Sequence, residues 1–528
     1  MARSHLIQVL RQAYARSRTL PQWAALHSPP SPEAILNQPM SRRRVLQGGL
    51  LTVGALGLKP GGVARWRLPS AEAAKVLVVG AGVAGLTVAY RLQQAGIFAD
   101  VVEASPRVGG RLRSLSQLVG SDDVVELGGE FIDTQHTAVR SLANELGLEM
   151  VDLRLADEGL AAEVLYFGGK TISQDWVIDA FAPLAERISH DLAQLTKRDL
   201  SYRNPSRIAK QLDRLSLSQY LDSADVDPLI KKLVEVAYIT EYGRDADDQT
   251  CLNMLFLIGA EVGKWSTYGV SDERWHVRGG NEQIPQALRQ RLKQDVETDT
   301  RLEAIHNGGT NRYRVTLRQG STSRDRTYDA VVLAVPFSLL RHVNLAIDLP
   351  PLKRQAIQQL GYGTCSKLAV PFYERIWRDR YRSTISIYTD QPFQNTWESA
   401  RYRQGSVGWV TDLRGGTEGL KLGGGDISVH ADRLTQSLNA LFPGIDQVKR
   451  VEALRAFWAA EPYALGSYSC YLPGQWTTFG GIEGESVGNL WFAGEHCSLA
   501  SQGYMNGAVE TAEVAAQKVL QRLGSQVI

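Results

Sequence analysis

Cysteine is scarce in this 528-residue chain. Its four residues, Cys251, Cys365, Cys470 and Cys497, lie too far apart for a zinc knuckle or a dense disulfide framework. No metal is expected, and each cysteine reads as a small buried apolar residue. Charge of one sign is scarce as well: 58 Lys+Arg against 56 Asp+Glu leave a formal charge of +2, and no long basic run crosses the body of the chain. That excludes nucleic acid as an implied partner. No internal repeat is present, and the single low-complexity patch is the Gly-rich stretch from Gly415 to Gly425. What is there is a chain 44% hydrophobic, too apolar for disorder and too long for one small core. Two packed lobes are expected.

The N-terminal region carries a targeting pattern. Ser41-Arg42-Arg43-Arg44-Val45-Leu46 opens a stretch that stays uncharged to Leu58, and the small-residue run Ser70-Ala71-Glu72-Ala73-Ala74 follows. Basic, then apolar, then small is the order of a signal peptide, and the paired arginines resemble the twin-arginine export signal. The apolar stretch is Gly-rich and shorter than the roughly 20 residues of a spanning helix, so cleavage rather than anchoring is expected. Residues 40–74 are thus read as a signal for the twin-arginine export machinery, with a periplasmic or secreted product. That route carries folded proteins, which suits a chain that binds its cofactor before export.

The strongest structural motif comes next. Lys75-Val76-Leu77-Val78-Val79 reads as a buried parallel strand, running into Gly80-Ala81-Gly82-Val83-Ala84-Gly85 and a helical pattern through Gly96. In such a turn Gly80 makes the tight bend, Gly82 lets a pyrophosphate approach the backbone, and Gly85 lets helix and strand pack closely. The phosphates sit at the positive helix end, beside Ala84. A second strand, Ala99 to Val102, ends in Glu103-Ala104, placing a carboxylate about 20 residues beyond the glycines, where ribose hydroxyls are held. Arg107-Val108-Gly109-Gly110-Arg111 then offers a second glycine approach flanked by guanidinium groups, and Glu126-Leu127-Gly128-Gly129-Glu130-Phe131 a third, suited to pass under a flat ring system. FAD rather than NAD is the expected cofactor.

Together with later segments, these motifs resemble the flavin amine oxidase family, which includes monoamine, polyamine and L-amino-acid oxidases. The similarity runs from about Lys75 to the last helix. Gly279-Gly280, Ile284-Pro285 and Val296 resemble the segment that returns to the FAD domain, where the Val296 backbone would meet the adenine. Trp491-Phe492-Ala493-Gly494-Glu495 and Gly503-Tyr504-Met505-Asn506-Gly507-Ala508 resemble the C-terminal flavin signature. The resemblance implies an α/β fold: a Rossmann-like FAD-binding domain (75–150, 266–345 and 466–528) interleaved with an α+β substrate-binding domain (151–265, read as helical, and 346–465).

It also implies roles. Gly80, Gly82, Ala84, Gly85, Glu103, Ala104, Gly110, Arg111, Gly128, Gly129, Glu130, Val296, Gly494, Glu495, Gly503, Tyr504 and Met505 are expected to bind FAD. The helix after Gly503 would place its positive end where negative charge builds on the ring. Lys367 resembles the family lysine that holds a water against the flavin, and Tyr468 and Tyr504 the aromatic sandwich in front of it. Ser467 stands where monoamine oxidases carry a flavin-linking cysteine, so non-covalent FAD is expected.

The implied reaction is oxidative deamination of a small-molecule amine or amino acid, with dioxygen or a quinone as acceptor. Hydrogen peroxide and ammonia are the products if dioxygen serves. Little acid/base catalysis is demanded, in keeping with the absence of an obvious His/Asp pair. Some relatives carry an arginine after the second glycine pair, where this chain has Glu130-Phe131-Ile132-Asp133. Those acids, or Asp245, Asp247 and Asp248, suit a second positive charge on the substrate. A basic L-amino acid, arginine or lysine, ranks first; a mono-, di- or polyamine stands close behind, then a non-amine FAD desaturase. A homodimer stays open. Met40 immediately precedes Ser41, and residues 1–39 precede the signal. Translation is expected to start at Met40; mass spectrometry of the precursor should find no peptide upstream of it.

Overall fold

The computed structural model describes residues 74–524 apart from 117, 119–123, 197–198, 200 and 400. The expected upstream extension and the twin-arginine segment, up to residue 73, lie outside the described residues.

The run Val76–Val79 is buried on both faces, as a strand with no polar alternation must be, and forms the middle of a five-stranded sheet. Across that sheet the order is Leu490–Phe492, Ala330–Leu333, Val76–Val79, Asp100–Val102 and Val296–Glu297, every neighbouring pair parallel. Four distant stretches of chain therefore meet in one sheet. Helix Val83–Gln94 starts directly after Gly82 and packs against the last helix, Met505–Gly524. Arg91 ties them, reaching Glu513 at 2.8 Å and Glu145 of helix Thr137–Glu145 at 2.7 Å. The class is α/β, as expected.

The second sheet has seven strands, ordered Leu454–Phe457, Ser366–Phe372, Gly408–Arg414, Asn395–Ser399, Ile387–Thr389, Val164–Phe167 and Lys170–Ile172. All its pairs are antiparallel except that between 387–389 and 164–167. The last two strands correct the reading of 151–265 as helical. They are four and three residues long, too short for periodicity to declare them among the surrounding helices. Long helices do dominate the rest of that stretch, notably Gln174–Gln194 and Pro228–Tyr242.

Helix Pro228–Tyr242 matters most below. Asp227 caps it by accepting the Leu229 amide at 2.8 Å, and Pro228 occupies its first turn, where a missing N–H costs nothing. Its apolar face buries Ile230, Leu233, Val234, Val236 and Ala237, and Gly243 ends it at φ +72°. A Cβ on Gly243 would stand 2.7 Å from the Gly363 Cα and 2.8 Å from the Cys365 sulfur, so this helix end abuts the start of the seven-stranded sheet.

The first glycine turn is equally tight. A Cβ at Gly85 would lie 1.9 Å from the Gly80 carbonyl oxygen, a backbone atom that cannot yield. Gly85→Ala should therefore cost about 3 kcal/mol or more and release the cofactor, read as a lower Tm and loss of yellow colour on gel filtration.

Candidate active site

A cavity of about 540 Å³ opens at the carboxyl ends of the parallel strands and extends beneath the seven-stranded sheet. It brings together all of the residues expected to form the site except Gly85, which packs helix on strand, and Val296, which sits in the edge strand beside Val101. One end is built by the glycine turns. Nothing lies within 4 Å of a Cβ placed at Gly82, whereas one on Gly110 would come within 3.4 Å of the Gly82 Cα. Two stretches of backbone without side chains thus lie against each other, bridged between Gly82 and Gly109, and leave open space over Gly82 where a diphosphate can approach. Glu103 accepts the Ala81 amide at 2.7 Å and the Ser105 amide at 2.9 Å. Each carboxylate oxygen keeps lone pairs for ribose hydroxyls. These residues fit FAD.

The middle of the cavity is organised by Glu495. Its carboxylate accepts from the Arg111 guanidinium at 2.7 Å, the Ser469 hydroxyl at 2.6 Å and the Gly503 amide at 2.9 Å. Burial pushes its pKa up, but Arg111 and these donors outweigh it, and the carboxyl is held below its ordinary range. Arg111 also donates to the Ser467 carbonyl at 2.9 Å.

Lys367 is buried in strand Ser366–Phe372, yet its ammonium is well served. It donates to the carbonyls of Glu126 at 3.1 Å and Gly128 at 2.8 Å and pairs with Glu130 at 2.9 Å. All three N–H groups are engaged in this geometry, and Glu130 is spent as their counter-ion. The Trp397 ring lies 5.1 Å from the ammonium and screens it further.

Tyr468 and Tyr504 both line the cavity, and one helix end anchors both hydroxyls. Tyr468 donates to the Thr240 carbonyl at 2.8 Å and stands 3.0 Å from the Cys365 sulfur. Tyr504 donates to the carboxylate of Glu241, the next residue. The acids expected to read a second charge are otherwise occupied. Asp133 accepts from the Ser271 hydroxyl at 2.8 Å and the Glu273 amide at 2.8 Å; Asp245 caps Thr417; Asp248 pairs with Arg244. None of Asp245, Asp247 and Asp248 lines the cavity.

Three carboxylates that sequence reasoning missed do line it, Glu241, Glu273 and Glu461, and the first two are strongly shifted. Desolvation, relieved only in part by the Tyr504 hydroxyl, raises Glu241 to about 7. Desolvation, then repulsion from Asp133 and Glu241, raises Glu273 to about 8. The Glu273 carboxylate makes no hydrogen bond or ion pair among the described residues, and its backbone is held at φ +43°, a conformation unusual for a side-chain-bearing residue. Tyr268, Tyr388 and Ser271 share this end of the cavity, the two phenol oxygens 3.2 Å apart. Nothing in the local sequence marks Glu273 beyond its place in Ser271-Asp272-Glu273-Arg274.

A parallel dinucleotide-binding sheet, a glycine cradle and an aromatic chamber roofed by a second sheet define a flavin-dependent oxidoreductase of two-domain type. The family model for flavin containing amine oxidoreductase matches residues 83–520, and the chain belongs to that family. Among curated relatives, the flavin-containing amine oxidase of Oncorhynchus mykiss is 25% identical over 468 residues, 85% of this chain and 86% of the relative. Amine oxidase A of Sus scrofa is 24% identical, with 85% of each chain covered. Among solved structures, putrescine oxidase bound to putrescine superposes with a TM-score of 0.72 at 20% identity, covering 85% of this chain and 99% of that one. Cyclohexylamine oxidase from Brevibacterium oxydans IH-35A gives 0.73 at 18% identity over the same shares. FAD is the cofactor of this family, and a small-molecule amine its substrate.

Arg111→Met would leave Glu495 buried without its cation. A loss of about 3 kcal/mol in unfolding free energy at pH 7 is expected, together with weaker FAD retention. Because the folded-state pKa of Glu495 is depressed, its contribution is present above the ordinary value of 4.5 and fades as pH falls through the lower one. The gap between wild type and variant should narrow on acidification below about 4.5, measured by urea unfolding.

Proposed function

We propose that this chain oxidises a di- or polyamine, deaminating a terminal amino group while a second ammonium is held at the far end of the cavity. The observation that carries this reading is Glu273, a carboxylate turned into the cavity with no hydrogen-bond or ion-pair partner among the described residues. Such a group gains most from a cation arriving with the substrate. Tyr268 and Tyr388 supply the aromatic faces and phenol oxygens that a methylene chain ending in an ammonium needs.

Basic L-amino acids, first in the sequence reading, need a cation for the α-carboxylate as well. Among the described residues of the cavity wall the cations are Arg107, Arg111, Arg301 and Lys367. Arg107 donates to the Gly110 carbonyl at 2.6 Å and Arg301 stands beside Glu103 in the nucleotide end. Arg111 and Lys367 are matched to Glu495 and Glu130. Negative charge therefore dominates the chamber, and a decarboxylated amine is the better match.

FAD, when bound, accepts a hydride equivalent from the carbon bearing the amine. The chain's own residues hold that carbon in place: Tyr468 and Tyr504 form walls whose hydroxyls are fixed on helix Pro228–Tyr242, so the rings keep their orientation. The Lys367–Glu130 pair fastens the second glycine stretch against the sheet. With Ser467 at the linking position, the cofactor is held non-covalently, and dioxygen is the acceptor, giving hydrogen peroxide beside ammonia and an aldehyde. Denaturation should release all of the FAD into the supernatant, with no flavin left on the polypeptide.

The decisive variant is Glu273→Gln. It should lower kcat/KM for putrescine and cadaverine by about 2–4 kcal/mol, roughly 30- to 1000-fold, while changing cyclohexylamine by less than about threefold. Equal losses on all three substrates, or rapid flavin reduction by L-lysine and L-arginine but by none of the amines, would refute the diamine reading.

A further inference from the structure

Amines enter as ammonium ions. An alkylammonium, like the lysine side chain, has a pKa near 10.4, so at pH 7 only about one molecule in 10³ carries the nitrogen lone pair. Loss of a hydride from the neighbouring carbon needs that lone pair. The protein must either wait for the rare neutral form or take the proton itself.

Glu241 is placed to take it. It is the penultimate residue of helix Pro228–Tyr242, lines the cavity, and its carboxylate accepts the hydrogen bond of the Tyr504 hydroxyl. No lysine or arginine bears on it among the described residues. The groups that face it are these: Tyr242 on its own helix, Asp133 after the second glycine pair, and Tyr268 and Glu273 on the following loop. Cys365, Tyr468 and Tyr504 complete the set. Burial pushes the thiol up to about 11 and the phenols of Tyr268, Tyr468 and Tyr504 well above their ordinary 10, so these remain protonated through the neutral range. His136, whose ring lies 5.0 Å from that of Tyr504, already accepts the Asp133 amide through Nδ1 and faces the Asp133 carboxylate through Nε2, so the carboxylates are left as the acceptors. Asp133 already accepts from the Ser271 hydroxyl and from the Asp272 and Glu273 amides, and of the three carboxylates only Glu241 accepts from the Tyr504 hydroxyl among the described residues.

We propose that Glu241, acting through the Tyr504 hydroxyl, takes one proton from the substrate ammonium and delivers the neutral amine to the site of oxidation. One N–H bond of the ammonium breaks and its electron pair stays on nitrogen. The proton goes to the Tyr504 oxygen as the phenol's own proton passes to a Glu241 oxygen. The phenol is restored, the carboxyl becomes neutral, and the positive charge of the ammonium and the negative charge of the carboxylate cancel. Nothing is oxidised or reduced. Glu241 is thus a positioning residue for Tyr504 and the store for one proton, which returns to water after the product leaves. A value raised to about 7 suits that exchange, since the carboxylate is about half ionised at pH 7, more so above it, and basic enough to take the proton. This role rests on the amine-oxidising activity and does not require a second cation at Glu273, although a cation there would lower the pKa of Glu241 by relieving their mutual repulsion.

The test is anaerobic stopped-flow reduction of the flavoenzyme from pH 6 to pH 10.5. Its substrate is whichever of putrescine, cadaverine, cyclohexylamine, benzylamine or L-lysine reduces the flavin fastest. In the wild type, the second-order rate constant for reduction should rise through a pKa near 7 and then stay level up to the pKa of the amine. Glu241→Gln should lose that plateau, rising about tenfold per pH unit towards pH 10. It should be roughly 300- to 1000-fold slower than wild type at pH 7 and within about threefold at pH 10. Tyr504→Phe, which keeps the carboxylate but breaks the relay, should lose the plateau too, and it carries the test if the first variant does not retain FAD. A pH-independent loss in Glu241→Gln marks a purely structural role and overturns the proposal, as does a wild-type profile in either variant. Failure of the diamine reading appears instead as the identity of the fastest amine, leaving these profiles interpretable.

Discussion

A single buried carboxylate holds the parts of this site in register. Glu495 follows the last strand of the parallel sheet, and removing its charge from water is tolerable only because Arg111, Ser469 and Gly503 converge on it. Those donors come from three separate regions: the loop after the second strand, the segment of the tyrosine Tyr468, and the turn that starts the last helix. Satisfying one charge therefore fixes where the glycine cradle ends, where Ser467 and Tyr468 stand and where Tyr504 begins. The low exposure of Glu495, 5%, makes this demanding, since bulk water cannot replace a misplaced donor.

Much of this was legible in the sequence where local chemistry is unambiguous. Val76–Val79, the glycine turn and helix Val83–Gln94 announce themselves because strand, turn and helix each carry their own pattern within 20 or so residues. The convergence of Lys367, Glu130, Tyr468 and Tyr504 on one cavity was legible only through resemblance, since these residues are separated by hundreds of positions. Glu241 and Glu273 were not legible at all. Each sits among ordinary charged residues, and what distinguishes them is a cavity made by other segments. Strands Val164–Phe167 and Lys170–Ile172 escaped for a related reason: the first pairs with a strand more than 200 residues later, at Ile387–Thr389, and the second only extends that pairing as a short hairpin at the sheet edge.

The electrostatics of the chamber divide cleanly. Where FAD belongs, each cation already has its match or lies at the nucleotide end, and backbone amides and glycines do the holding. At the opposite end carboxylates outnumber cations, and desolvation raises two of them towards neutrality. As pH rises through these values the chamber gains negative charge and favours cationic solutes over carboxylate-bearing ones. Selectivity of this kind comes from the sum of charges, and for that reason it was invisible to any motif.

The order in which the chain is made gives the five-stranded sheet a further meaning. Its central strand, Val76–Val79, is made first, but its neighbour Ala330–Leu333 is some 250 residues away and the outer strand Leu490–Phe492 is made later still. A cradle whose walls are so far apart along the chain has a high contact order, so it closes slowly, and its open sheet edges stay available to other chains meanwhile. The cradle cannot close on its cofactor until Glu495, Gly503 and Tyr504 have joined strands made long before them, so the early strands must be kept from other partners and free FAD must be at hand when the site comes together.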